Sequence, residues 1–210
     1  MTPETNGGAF KGQFEIQQTS ANQLALSIPQ STVEGVVYGT VPRTGFMYSN
    51  SFFEAFDLYW SHIASANSLL GGKLQIIGGS KATKSAGHKM SLAAAIGSNE
   101  HESEDGAVEF KLGGNEYLVI YGYRFNETIM IYSHLARSVY TFDGTYQGSN
   151  PALRGLEPKV KTTSTALSGG GEVSFGPFMG KLEGTYQMLE SSGTEKLTHF
   201  LFGWTLGYSW

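Results

Sequence analysis

The sequence has no cysteine and little charge. Without cysteine there is no disulfide, no thiol nucleophile and no cysteine-held metal, although the compartment stays open. Charged side chains make up 15% of the 210 residues, well below the roughly 25% of an ordinary soluble domain. The formal net charge is -4 and no basic stripe is visible, which argues against nucleic acid as a partner. No run approaches the ~20 apolar residues that a membrane-spanning helix needs. A secretory leader is missing as well, because Met1-Thr2-Pro3-Glu4-Thr5 has neither a basic start nor an apolar stretch.

The chain is instead rich in glycine and aromatic residues, with 28 Gly, 11 Tyr and 13 Phe, a bias typical of β-barrels. The clearest pattern is at the C-terminus. Phe200, Phe202, Trp204, Leu206, Tyr208 and Trp210 share one parity, and His199, Gly203, Thr205, Gly207 and Ser209 the other, with Leu201 as the apolar exception. A strand turns alternate side chains to opposite faces, so one face here is almost wholly apolar. An edge of this kind would be sticky in water. The same alternation recurs along most of the chain, as in Phe14 and Ile16 against Gln13 and Glu15, or Met90, Leu92 and Ala94 against Lys89, Ser91 and Ala93. Alternation cancels in any window average, which fits the slightly negative mean hydropathy.

Turn residues divide the chain into ten expected strands, at about 10–28, 33–48, 54–63, 69–79, 86–98, 105–125, 127–142, 166–176, 178–190 and 197–210. An all-β, antiparallel, up-and-down transmembrane barrel is therefore expected, forming a single domain over 1–210, with eight or twelve strands as alternatives. Gly113-Gly114 reads either as a bulge or as a hairpin turn. Mixed faces in 127–142 would be reconciled by a bulge near Ser133. Segment 51–70 has a helical rival, with Ser51 to Glu54 as a capping box and an aromatic stripe through Phe52, Phe56, Tyr59 and Trp60. The turns at Asn126-Glu127 and Pro177 are tight, whereas 98–105, 143–165 and 191–196 are longer and polar. Short turns on one side and long loops on the other are the pattern of such barrels, with the C-terminus, and on this reading the N-terminus, on the periplasmic side.

The outward parity supplies Trp60, Tyr186, Phe200, Phe202, Trp204, Tyr208 and Trp210 as lipid-facing or girdle residues. The inward parity is read as Lys11, Glu15, Asp57, Lys73, Lys89, Glu109, Lys111, Glu116, Arg124, Lys181 and Glu183. Both signs occur in near balance. A ten-stranded barrel is little wider than the eight-stranded kind filled by its own side chains, and an unpaired buried charge is costly. The expectation is a lumen closed by a polar network, in which Lys73, Lys89, Glu109, Lys111, Arg124, Lys181 and Glu183 take part. A lining of one sign would instead indicate a selective pore.

The closing strand resembles that of bacterial outer-membrane β-barrels of the small OmpA-, OmpX- and OmpW-like class. In that class the strand ends on an aromatic residue, with another two positions earlier, and is read by the barrel-insertion machinery; Tyr208 and Trp210 match those positions. The glycine often found five residues before the end is Thr205 here. The resemblance implies a bacterial outer-membrane location and contact with lipid, lipopolysaccharide or another envelope protein. Export then implies that the sequence is a mature form, in which Met1 can be an added start.

Some barrels of this class are enzymes, such as lipid hydrolases and proteases, with Ser/His or Asp/His near the outer rim. Ser61-His62, Ser133-His134 and His199 are the residues to weigh. Adjacent residues of a strand face opposite ways, so neither Ser-His pair can act by itself, and no G-x-S-x-G motif is present. The acidic loop Asn99 to Gly106 reads as a divalent-cation or lipopolysaccharide-bridging site or as a solvated loop. The long loop with Arg154, Lys159 and Lys161 reads as a plug, a recognition surface or an inert loop. A structural or interaction role without cofactor, metal or catalysis is expected, with a narrow solute channel as the alternative and a membrane-embedded hydrolase behind it. A soluble ligand-binding barrel is the remaining rival.

Overall fold

The computed structural model describes residues 1–8, 10–24, 38–63, 68–83, 85–102, 108–148, 159–191 and 196–210. The strands are β1 (Gly12–Leu24), β2 (Tyr38–Phe53), β3 (Phe56–Ile63), β4 (Ser68–Ile77) and β5 (Gly87–Glu102), followed by β6 (Val108–Arg124), β7 (Ile129–Tyr146), β8 (Lys159–Phe175), β9 (Phe178–Ser191) and β10 (Leu197–Ser209). Each strand pairs with its sequence neighbours, and β1 pairs with β10. The ten antiparallel strands therefore form a closed up-and-down barrel, and a closed sheet leaves no edge with unpaired backbone.

Burial follows the period of two. Phe46, Tyr48, Leu58, Trp60, Leu70, Leu74, Val119, Leu135, Leu182 and Leu206 are exposed on the outer surface. The alternate positions Ser49, Asp57, Lys73, Lys89, Ser91, Arg124 and Lys181 are buried inside. This inverts the polarity of a water-soluble protein. Its apolar exterior far exceeds the few hundred Å² tolerated in water, and it matches a hydrocarbon solvent. This is the architecture of a transmembrane β-barrel.

Several boundaries differ from the sequence reading. β2 runs on to Phe53 through Ser49-Asn50-Ser51, a polar run that resembles a turn until its inward serines acquire partners in the lumen. Residues 51–53 and 56–63 are strands joined at Glu54-Ala55, so the helical reading of 51–70 does not hold where residues are described. β7 extends to Tyr146 and β8 begins at Lys159. The expected loop 143–165 is thereby reduced to 147–158, of which 149–158, with Arg154, lie outside the described residues. β5 and β6 likewise take up part of the acidic loop, and 103–107 lie outside the described residues.

No bulge occurs at Gly113-Gly114 or Ser133, because β6 keeps an unbroken register with β5 and β7, and β7 with β8. Shifts occur instead at Ser51/Phe53 and Gln75/Ile77. One consequence concerns Glu109 and Lys111. They share parity with outward Tyr117, Val119 and Tyr121, opposite to Leu118, Ile120 and Arg124, and both are exposed. They stand outside the lumen, and Lys111 pairs with Glu100 at 2.7 Å. Lys11 precedes β1 and is also exposed.

A bilayer needs strands of about 9–11 residues. β6 and β7, with 17 and 18 residues, therefore project beyond it. The exposed pairs Glu100–Lys111, Asp143–Lys159 and Glu190–Lys196 lie at that projecting end. The opposite end carries the short turns and Trp210, which bonds to Gly12 there.

Candidate functional site

The lumen is filled from its short-turn end by the chain's own first residues. Thr2, Glu4 and Thr5 are at most 2% exposed, and Pro3 is also fully buried. Side chains of the barrel wall meet several backbone groups of this segment. Lys73 Nζ donates to Glu4 O at 2.6 Å, and Ser91 Oγ donates to Pro3 O. Thr5 N donates to Gln75 Oε1 at 2.8 Å. Asn6 N lies 3.1 and 3.2 Å from the two Asp57 carboxylate oxygens, and Asn6 Nδ2 donates to Ser49 Oγ at 3.0 Å. Gly7 N donates to Ser51 Oγ at 3.0 Å. The small polar residues of β2 to β5 therefore line a sleeve for an extended peptide and satisfy its buried donors and acceptors.

Charge locks the segment in place. Glu4 receives two hydrogen bonds from Arg124, at 2.8 and 2.6 Å, and lies 3.4 Å from Lys89 Nζ. Arg124 also bonds Glu172 at 2.9 Å. Glu172, on β8, meets Lys81 Nζ at 3.7 Å from the β4–β5 turn. Lys73 pairs with Asp57 at 3.3 Å, and Lys181 with Glu15. Such buried pairs hold only with close, well-satisfied geometry, which the sleeve supplies.

The β4–β5 turn clasps the segment from below. Its short 3-10 turn, Lys81–Thr83, donates Lys81 N to Thr5 O at 2.8 Å. The Lys81 ammonium also donates to Gln13 Oε1. Burial holds the Lys81 amine below its ordinary range, with Glu172 opposing. Glycines in the segment and in the wall shape its path. Gly7 and Gly8 have φ of 85° and 112°, a backbone region costly for other residues, and there the segment turns out toward β1. Gly122 lies beneath Pro3, and a Cβ at that position would sit 3.0 Å from Pro3 Cγ.

Met1 caps the segment in mid-lumen. Its side chain packs on an apolar cluster that includes Met47, Leu69, Leu118 and Ile120. Its amine is 3.9 Å from Glu183 Oε2. Above Met1 the lumen widens to a cavity of about 320 Å³.

The structure brings Lys73, Lys89, Arg124 and Lys181 together in the lower lumen and places Glu183 beside the upper cavity. Glu109 and Lys111 stay outside. Glu4, Lys81 and Glu172 were missed by sequence reasoning. Glu172 shares parity with Ser164 and Ser168 and was legible on that ground; Glu4 precedes the first strand and carried no strand signal.

Trp60, Tyr186, Phe200, Phe202, Trp204, Tyr208 and Trp210 are exposed on the outer surface. Tyr208 and Trp210 stack at 6.3 Å, and Trp210 lies 5.9 Å from Tyr48 at the short-turn end. On the outer wall, Gly72 and Ala94 floor an apolar groove flanked by Leu74, Tyr117 and Leu135 and bordered by Arg137.

The candidate catalytic residues do not form a triad. His134 is buried inside, and Ser133 has the opposite parity. His62 faces outward, stacks on Trp60 and bonds Ser68 Oγ at 2.8 Å, while Ser61 has inward parity. His199 pairs in register with Gln187. Among the described residues no group of three or more His, Asp or Glu is placed to hold a metal.

No family model matches the chain, and no curated protein matches it. Among solved structures the chain is similar to Ail, the attachment invasion locus protein of Yersinia pestis, at 11% identity over 96% of this chain and 99% of that one, with a TM-score of 0.40. In complex with the heparin analogue sucrose octasulfate, Ail matches with a TM-score of 0.44. The N-terminal β-barrel domain of Pseudomonas aeruginosa OprF matches at 11% identity over 96% of this chain and 98% of that one, with a TM-score of 0.38.

Proposed function

We propose that this protein is an integral barrel of the bacterial outer membrane, closed by its own N-terminal segment, with a structural or interaction role at the cell envelope. The observation that carries this reading is the sleeve around residues 2–7, which fills the lower lumen, where the cavity beside Met1 and Thr2 is only about 10 Å³. The inside-out polarity supports a lipid setting. The short-turn end, with the C-terminus, faces the periplasm on this reading, while the longer strands project outward with their charged pairs. Outer-membrane lipid and lipopolysaccharide are the proposed partners. The apolar groove at Gly72 and Ala94 suits an acyl chain, and Arg137 suits an anionic headgroup. Another envelope protein would meet the projecting end. Tyr208 and Trp210 serve as the assembly signal for the barrel-insertion machinery.

A narrow channel is the second reading, favoured by one observation. The closure is a single contiguous segment hinged at Gly7-Gly8, so its withdrawal would open the lumen. Planar-bilayer recording separates the two. The full chain should be electrically silent, and a variant lacking residues 2–8 should give steady unitary currents. Steady currents from the full chain would overturn the closed-barrel reading and establish the channel.

A further inference from the structure

The upper cavity has a chemistry opposite to that of the lower lumen. Below, Lys89 and Arg124 converge on the carboxylate of Glu4, while Lys73 pairs with Asp57 and donates to the Glu4 carbonyl oxygen. Above, Glu116 and Glu183 line the cavity, and Lys181, the lysine that borders it, is committed to Glu15. Glu116 accepts a hydrogen bond from Ser138 Oγ at 3.2 Å and makes no ion pair among the described residues. The Met1 amine lies against Glu183 rather than forming a pair with Glu116.

Two further groups border the same space. The Tyr59 hydroxyl and His134 Nδ1 are buried without hydrogen-bond partners, in residues only 3% and 9% exposed, and Glu183 Oε2 stands 3.9 Å from His134 Nδ1. Buried polar atoms are nearly always paired, and both of these can accept a hydrogen bond. Aromatic surface completes the wall. The Tyr59 ring lies across Gly71, where a Cβ would meet its Cζ at 2.5 Å, and the Tyr132 ring lies across Gly170. Both tyrosines border the cavity.

We propose that this cavity is a binding site for a small organic ammonium compound. Its N–H groups donate to Glu116, Tyr59 Oη and His134 Nδ1, and its charge lies beside the Glu116 carboxylate, an arrangement that favours cations. A volume of about 320 Å³ falls in the range of small-molecule sites. A hard inorganic cation is a poorer fit, because it needs six or more oxygen ligands and no metal-ligand group is present among the described residues. The site rests on the lumen being floored by residues 1–7, and not on the envelope role.

The test is calorimetric titration of the full chain refolded in detergent, after a heat-modifiable band has shown that the barrel is folded. Butylammonium and 1,4-diaminobutane are the probes, with 1-butanol, Na⁺ and Mg²⁺ as controls. Saturable 1:1 binding of an amine is expected, with no binding of butanol. Glu116→Gln should weaken it at least tenfold, and Glu100→Gln on the outer surface should leave it unchanged. If Glu116→Gln does not fold, Tyr59→Phe takes its place and should weaken binding severalfold. No saturable amine binding, unchanged affinity in Glu116→Gln or Tyr59→Phe, or equal binding of Mg²⁺ would each overturn the proposal. Failure of the unaltered chain to give the heat-modifiable band would overturn the membrane-barrel reading instead.

Discussion

Glu4 and Arg124, 120 residues apart in sequence, meet inside the barrel through two hydrogen bonds, Nε to Oε1 at 2.8 Å and Nη2 to Oε2 at 2.6 Å. The fork geometry is that of a bidentate arginine–carboxylate pair. It ties a segment lying outside the sheet to the short-turn end of β6.

The two partners should not be equivalent on mutation. Arg124→Met leaves Glu4 and Glu172 facing each other without their shared cation, and breaking a buried pair in this way costs about 3–5 kcal/mol. Urea unfolding in detergent or lipid should show a loss of that size. Glu4→Gln should cost less, because the segment can swing out at Gly7-Gly8 and let water reach Arg124. Equal losses for the two variants would mean that the barrel cannot stand without the segment.

Pro3 sits on Gly122, and a larger residue there removes its seat. Gly122→Val should expel the segment, since a Cβ at that position also lies 2.8 Å from Ile131 O, and overpacking costs about 1–3 kcal/mol. Amide exchange at Thr5 to Gly7 should accelerate while the heat-modifiable band persists. Unchanged protection would show that the wall yields instead.

On β10, Leu206 is 59% exposed and lies within the expected lipid band, whereas Thr198 lies toward the projecting end of the same face. A lysine facing lipid costs about 2–4 kcal/mol at the midplane and little near an interface. Leu206→Lys should therefore destabilise the barrel in vesicles by about 2 kcal/mol, and Thr198→Lys should be near neutral. Equal effects would remove the lipid-facing assignment.

Trp210 closes the seam. Its backbone exchanges hydrogen bonds with Gly12 at 3.0 and 3.3 Å, and its ring covers the Gly12 Cα. Trp210→Ala should slow insertion in cells several-fold, read as accumulation of unfolded precursor, while purified protein still refolds in detergent. Normal insertion would remove the role proposed for the terminal aromatic residues.

Arg137 borders the groove over Gly72 and Ala94. Native mass spectrometry should show anionic lipid retained by the unaltered chain and lost from Arg137→Ala. Equal retention would make the groove an ordinary part of the lipid face.

Much of the fold is legible because alternation is local. A strand such as β10 announces both faces without reference to its partners, and so does β4, with Lys73 and Gln75 set against Leu74 and Ile76. Where side chains are small and hydroxylated the signal fades. Thr162 to Ser164 of β8, and Ser49 and Ser51 of β2, carry no apolar marker, and their strand state comes from pairing. Gly113-Gly114 illustrates the same limit. Two glycines permit a turn or a bulge, and only the unbroken register with β5 and β7 decides for a straight strand, which carries Glu109 and Lys111 outward.

The sequence by itself determined that this chain forms an antiparallel barrel with an apolar outer face and a charged inner one, since period-two patterning belongs to each strand separately. Only the tertiary structure decided what fills the interior. Lysines on β4 and β5 and an arginine on β6 become one site when closure brings those strands around a common axis. The carboxylate that Lys89 and Arg124 share comes from Glu4, upstream of every strand, where no periodicity could mark it. Opposite charges in a dry lumen must meet, but which of them meet depends on the closed ring.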